Sequence, residues 1–575
     1  MSEILLYYRR PDPTTWVYMS SFLTIGLYFV FHRFWSVRNL DIALLILLAP
    51  GLLMVHEGRR REVRALETEQ TVAQQKEDSG AAPIDIAPAD LQSQHAAGLL
   101  PKTILAQVDP SEVKAVLADE SAKDADAAAK ASAKSPSEAD DAPTANLSEE
   151  ADAPKVQTGG QVLGGPGGAV DAPGINGLDA IADDDAAILP AEETDEDNPL
   201  MSAFQKARSL QRQGFIFLFV IQALILIRLL IDPVMSRRPL LNPNLTTGGL
   251  YFISISLFVF MMGNIVTSTP RMQVLQGPKL GPGYALMHRL PAITTRPVSD
   301  ALAGADPRVA AELTPMEQRW TMIAKAMAIL AHLAIVSGIV LIGNRHFGNL
   351  RAGVGAATLY LMLPYTAQMT GRVDHALPAA LLLWAILMYR KPLVAGVFFG
   401  LAAGLVYYPL FLLPLWCSFY WRRGVRRFAV GTIATLTVLM LLLSAGGIES
   451  MVDHLRLMFG LRAPIRNAEH LQGIWALGWS PIWRLPVIVG FGILCTLFAF
   501  WPSPKNLGTL ISCTAAVMVA AQFWHGYGGG LYAGWFLPLL LLTIFRPNLQ
   551  DRVALKVVEP SKRDARTPQP EVQPA

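Results

Sequence analysis

The sequence predicts an all-α polytopic membrane protein of about twelve transmembrane helices, interrupted by one long polar linker. Three observations predict it. Hydrophobic residues fill 52% of 575 positions and charged ones 16%, with a mean hydropathy of +0.34, which a single water-soluble core of this length does not explain. Apolar runs recur along the chain, separated by short polar turns and basic clusters, and many approach the roughly 20 residues needed to cross hydrocarbon. Between positions 65 and 200, by contrast, stand 28 Asp and Glu against 7 Lys and no Arg, so the formal net charge of +2 hides an acidic segment inside a basic chain.

Residues 1–64 read as an N-terminal transmembrane hairpin. Its first segment, Trp16 to Phe34, follows Arg9 and Arg10 but lacks the short apolar core and small-residue cleavage site of a signal peptide. The second, Leu40 to Val55, runs into His56-Glu-Gly-Arg-Arg-Arg-Glu-Val-Arg64, a basic flank of the kind that marks the cytoplasmic side. Both ends of the hairpin are therefore expected inside.

Residues 65–205, rich in Ala, Asp, Glu, Ser, Pro and Gly, are expected to form a disordered cytoplasmic linker. No membrane chemistry requires such a segment, so its expected role is to recruit an unidentified cytoplasmic protein through residues 65–200. Ser111 to Lys134 carries enough Ala, Glu and Lys for a transient helix. The run Asp183-Asp184-Asp185 is read as solvated charge, because no Gly-spaced calcium loop surrounds it.

The polytopic module spans residues 206–550, followed by a disordered tail over 551–575. Its first apolar run, Gly214 to Ile231, ends at Asp232. Further segments are predicted at about 249–266, 321–342, 352–370, 376–389, 393–420, 428–445, 484–501, 507–523 and 531–545, ten in the module and twelve in all. Alternation from an inside start places the arginines at 422–427 and 546–552, and the polar insertion 271–320, on the cytoplasmic side. The expected protein is thus a multi-pass protein of the cell membrane with both termini cytoplasmic.

Ionisable residues at membrane depth are costly, so those that occur are read as functional by default. Gln368, Arg372, Asp374 and His375 fall between two apolar segments too short to cross upright. Acids are scarce outside the linker, and topology sends Asp41, Asp232, Glu449, Asp453 and Glu469 to or near the outer face. Asp232 stands in LLIDPVMSRRP, with Pro233 to hold a turn and Arg237 and Arg238 behind it. On local sequence alone it caps the helix or neutralises the arginine pair. The outer loop Gly446 to Leu485 brings Asp453, His454, Arg462 and Arg466 near Trp475, Trp479 and Trp483, which suits a phosphate held by charge-assisted hydrogen bonds and a sugar stacked on indole. His525, in FWHGYGGGLYAGW, sits where glycines permit close backbone approach.

Cys417, Cys495 and Cys513 all lie in apolar segments and are read as packing residues, with no disulfide or zinc spacing. No metal ligand set is evident, and no phosphate-binding glycine loop occurs on a strand-helix turn. Neither a cofactor nor a nucleic-acid partner is expected, and dependence on calcium or magnesium stays open.

The order of a short helix, Gly371-Arg-Val-Asp374, a second short helix, Arg390-Lys-Pro, Gly400-Leu-Ala-Ala-Gly404, Tyr408-Pro409-Leu-Phe-Leu-Leu-Pro414 and a basic cluster resembles the central part of GT-C superfamily glycosyltransferases that use polyprenyl-phosphate sugars. It is most similar to the family 87 mannosyltransferase type, over about 80 residues. The family shows Gly-Gln-x-Asn where this chain has Gly371-Arg-Val-Asp374, and a Lys before Tyr-Pro where it has Val406. The resemblance implies a GT-C-like membrane module and transfer of a sugar, mannose among the candidates, from a lipid-linked donor to an acceptor at the outer face. It also implies that Asp232 is the base, an acid in the module's first outer loop. The lipid phosphate leaves as a stabilised anion, so the protein needs a base for the acceptor hydroxyl and cations for the phosphate. Arg237, Arg238, Arg372, Asp374, His375, Asp453, His454, Arg462, Arg466 and His525 are the expected substrate-binding residues.

Two other classes fit parts of the pattern. A secondary transporter also uses broken helices and ionisable groups at depth, but shows internal repeats that this chain lacks. A non-catalytic membrane scaffold would give the acidic linker its purpose.

Overall fold

The computed structural model describes residues 13–78, 199–235, 241–267, 270–271, 283, 290, 292–293, 314–445, 447–448, 451–452, 455, 471, 473–526, 528–549 and 552–554. Among these it is helical apart from one two-residue antiparallel ladder, Pro270–Arg271 with Ala292–Ile293. Six helices are long and apolar enough to cross a membrane, and five shorter apolar helices accompany them. The expected linker lies outside the described residues except at its borders, where 65–78 and 199–205 are helix.

The hairpin begins with α1 (Pro13–Tyr28) and α2 (Val37–Asp78). Helix α3 (Pro199–Ile231) packs antiparallel on α2 along most of its length. Small residues set this crossing: Gly51 lies against Leu218, Gly214 against Val55, and Gly58 against the backbone of Ala207 and Gln211. A side chain at any of these would push the helices apart, the usual reason for glycine where membrane helices meet. One end of the pair carries Asp41 beside Arg228, the other Glu62 beside Gln211, so the bundle has an Asp41 end and an Arg59 end.

Helix α4 (Thr247–Thr267) starts at the Asp41 end, where the Asn244 amide donates to the Leu27 carbonyl. Helix α5 (Pro315–Arg345) runs back, started by a Thr314–Glu317 capping box that satisfies two otherwise unpaired amides. It turns into α6 (Leu350–Met362) by backbone contact of Gly343 on Gly353. Next come the single turn Pro364–Gln368 and α7 (Val373–Leu387).

Helices α8 (Pro392–Leu405) and α10 (Val425–Ser444) run parallel, because Gly396 packs on Phe428, Gly400 on Thr432 and Gly404 on Leu439. The chain between them must return, which it does through a 3-10 turn, Tyr408–Leu412, and α9 (Leu413–Phe419). The segment 393–420, expected as one pass, is therefore a hairpin. Helices α11 (Arg484–Phe500), α12 (Leu507–Trp524) and α13 (Leu537–Phe545) complete the bundle.

This hairpin changes the parity of the chain. Tyr408 meets His525 at the C-terminus of α12, whereas Arg546, after α13, lies against Gly508 at its N-terminus. Pro13 and Phe545 consequently lie at opposite ends of the bundle. Beyond α13, the Arg552 carbonyl accepts from the Leu507 amide and Ala554 is buried, so the expected tail is packed at least to that point.

Depth is set by two histidines on α5. The His346 ring bonds the Leu387 carbonyl at 2.9 Å near the Asp41 end, and His332, midway along α5, bonds the Thr370 carbonyl at 3.0 Å and the Tyr360 hydroxyl at 2.9 Å. Helices α6 and α7 thus fill only the part of the bundle between these levels, about 20 Å for 14 residues. The break that holds Arg372 to His375 falls halfway along α5.

Candidate functional site

Three interruptions converge at this half-depth level: the break before α7, the Tyr408 turn and the loop from His525 to Trp535. Arg372 donates to both oxygens of Asp374, Nε to Oδ1 at 3.0 Å and Nη2 to Oδ2 at 2.8 Å, a bidentate pair with the carboxylate buried and the guanidinium part-exposed. His375 places Nδ1 2.6 Å from the Tyr365 hydroxyl and stacks on Tyr532, ring centres 4.5 Å apart. His525 meets the edge of the same tyrosine at 4.9 Å, and its Nδ1 lies 2.5 Å from the Tyr408 hydroxyl, which in turn accepts from Tyr407 at 2.9 Å. Trp535 Nε1 donates to the Asp374 carbonyl at 2.9 Å, tying the loop to the start of α7.

The 528–532 loop is held from both sides by buried glutamines. Gln222 of α3 donates to the Gly530 carbonyl at 2.7 Å, and Gln522 of α12 accepts from the Gly530 and Tyr532 amides. Gly528 and Gly530 have φ of +87° and +92°, a region that glycine enters at no steric cost. Gly534 fits against the His375 carbonyl, where a Cβ would stand 2.6 Å away.

Two further arginines come to this place from elsewhere. Arg484 donates to the Trp524 carbonyl at 3.0 Å and lies over the Trp475 ring. Arg59, exposed on α2, lies over Phe215 and ends 3.8 Å from where a Gly528 Cβ would stand, within electrostatic reach of Tyr532, Arg372 and Glu62. Among the described residues no carboxylate is within ion-pair distance of Arg59. This level thus gathers an aromatic and imidazole cluster around Tyr532, with the Arg59 and Arg372 guanidiniums within electrostatic reach of it.

The structure thus unites four expected site residues, Arg372, Asp374, His375 and His525. It separates them from Asp232, which lies at the other end of α12. There Arg228 donates to both oxygens of Asp41 at 2.8 and 3.1 Å and to Asp232 Oδ1 at 3.3 Å, while Arg546 bonds Asp232 Oδ2. Asp232 has no exposed surface, and the gap beside it, about 10 Å³, has room for about one water. A carboxylate with each oxygen on a guanidinium and no space for an acceptor is a poor base, so the role expected of Asp232 is replaced by a buried ion pair. The Asp-Pro turn is present as a 3-10 helix, Asp232–Val234. Its arginine partners are Arg228 and Arg546, whereas Arg237, Arg238, Asp453, His454, Arg462 and Arg466 lie outside the described residues.

Arg59, Arg484, Tyr365 and Tyr532 were not singled out by sequence. Arg59 reads there as one of a basic flank, and only the pairing of α2 with α3 aims it inward. Among the described residues, no group of three His, Cys, Asp or Glu side chains is placed to hold a metal ion. Neither a protein-family model, a curated protein nor a solved structure matches the chain.

Proposed function

We propose that the chain transfers a sugar from a polyprenyl-phosphate donor, and that the donor phosphate rests between Arg59, Arg372 and the 528–532 loop. Arg59 carries this reading: a guanidinium with no carboxylate within ion-pair distance among the described residues, near a glycine loop and a second arginine, suits an anion that arrives on a lipid. In the reaction an acceptor hydroxyl oxygen bonds the anomeric carbon and the bond from that carbon to phosphate oxygen breaks. The phosphate keeps the electron pair, and the hydroxyl proton passes to a base. Glu62, 22% exposed and paired only loosely with Arg208 at 3.6 Å, is the described carboxylate at this end offered for that role, since Glu57 has both oxygens on arginines. Mannose is the sugar that the sequence resemblance favours.

Orientation belongs to the same proposal. Short connections at the Asp41 end carry Arg390, Lys391, Arg422, Arg423, Arg426 and Arg427, and basic short loops are retained inside; these are weighted over the basic flank Arg59 to Arg64 at the other end, which borders a long segment. That assignment turns the Arg59 end, with the described borders of the linker, to the outer face. It reverses the side expected for the linker.

The test is release of polyprenyl phosphate from polyprenyl-phosphate mannose by the full chain in native membranes, where the acceptor is present. Wild-type protein is expected to release it, and Arg59→Gln to release it about 100-fold more slowly at unchanged thermal stability, the order expected for removal of one preorganised charge donor. No release by wild-type protein, or equal release by the variant, rejects the reading.

One observation favours a second reading as a docking platform: α2 continues as helix from Glu62 to Asp78, well past its apolar part. A chain with residues 80–197 removed that still transfers sugar would reject that reading as the protein's main role.

A further inference from the structure

The α1–α2 turn at the Asp41 end forms a concavity, separate from the proposed donor site. It is a cavity of about 580 Å³, within the 300–1,000 Å³ usual for small-molecule sites, with His32, Arg33, Ser36 and Arg38 on one wall and Asn242 and Asn244 on the other. Buried Asn39 fixes the turn, accepting from the Val30 amide at 2.9 Å and donating to the carbonyls of Val30, Arg33 and Phe34. Arg38 closes the back, its guanidinium donating to the carbonyls of Tyr28 and Asn242. Neither Arg33 nor Arg38 has a carboxylate within ion-pair distance among the described residues, so two positive charges stand over a preformed cavity.

The rim of this cavity is apolar and exposed. Phe31 is 69% exposed, Phe34 62% and Trp35 96%, and edge contacts of 5.3 to 5.6 Å join them through Phe29 into one aromatic ridge. Exposed aromatic side chains beside the end of a membrane helix mark the level of lipid headgroups. Cations in the cavity and aromatics on the rim together match a molecule with an anionic phosphodiester and acyl chains.

We propose that this cavity binds the headgroup phosphate of an anionic membrane phospholipid, with Arg33 as its contact and Arg38 as the fixed charge behind it. The site does not depend on the transfer reaction, and neither reading needs the other.

Native mass spectrometry of the full chain in neutral detergent, offered equal phosphatidylglycerol and phosphatidylcholine, tests this. Wild-type protein should retain phosphatidylglycerol about tenfold over phosphatidylcholine. Arg33→Glu should cut that preference at least about fivefold, and Arg33→Lys should keep most of it, since each basic residue near a lipid surface contributes on that order. Thermal unfolding of both variants should match wild type, because the Arg33 side chain is exposed. Equal retention of the two lipids, or an Arg33→Glu protein that retains phosphatidylglycerol as wild type does, overturns the proposal. Displacement of the bound lipid by millimolar inorganic phosphate also overturns it, since the cavity would then take the free anion.

Discussion

Asp232 and Arg546 stand 314 positions apart in the chain and form one buried ion pair, which Arg228 extends to Asp41. Two carboxylates and two guanidiniums thereby join α2, α3 and the exit of α13 at one end of the bundle. Removing one partner of such a pair leaves a buried charge uncompensated, at a cost of about 3–5 kcal/mol. Asp232→Ala and Arg546→Ala should each lower the thermal midpoint of the purified protein by several degrees or prevent its accumulation. Arg546→Ala combined with Asp232→Ala should cost less than the sum of the two. Additive losses would show that the two residues do not act as a pair.

The parity of the bundle is open to a direct test. Single cysteines at Lys391 and Arg423, which flank the hairpin, in a chain lacking Cys417, Cys495 and Cys513, should label with an impermeant thiol reagent from the same side of the membrane. Labelling from opposite sides would contradict the hairpin at Tyr408.

Helices α8 and α10 meet through backbone, Gly396 against the Phe428 carbonyl and Gly431 against the Leu393 carbonyl. Gly396→Leu has no side chain to displace there, only main chain, so the helices must separate along their shared face. A loss of about 2–4 kcal/mol is expected, in the range of forced overpacking or beyond. Gly263→Leu, on an open face with nothing within 4 Å, should be silent in the same unfolding assay.

Helices α2 and α3 hold each other along most of their length, so their packing is expected not to need the chain between them. Replacing residues 80–197 with a short Gly/Ser linker should leave the thermal midpoint within about 2 °C of wild type. A large loss would mean that those residues brace the bundle.

How much of this was legible follows from what each signal measures. Run length located most of the apolar helices of the module, and the polar interruption Arg372 to His375 marked the level where the short helices stop. Length could not resolve 393–420, although Pro409 and Pro414 interrupt it, because a run of that length suits one tilted pass as well as two short helices. That one missed reversal moved Asp232 to the wrong end relative to His525. Arg228 was concealed differently: it sits inside an apolar run whose mean hydropathy absorbs one charge, and its partners, 187 positions away and four residues on, are set by the fold. Arg59 was visible as charge but not as direction, since helix facing is decided by which neighbour packs where.

The half-length helices also shape how a membrane voltage would fall across the protein. In the proposed reading solvent reaches this level from the Arg59 side and carries the potential of that side inward, so the drop concentrates over the packed half, about 20 Å between the levels of His332 and His346. One elementary charge crossing the full drop exchanges about 2.3 kcal/mol per 100 mV. An anion that settles beside Arg59 crosses almost none of it, and its binding should be nearly independent of voltage. Asp232, Arg228 and Asp41 lie beyond the packed half, and the steep part of the field separates them from that anion.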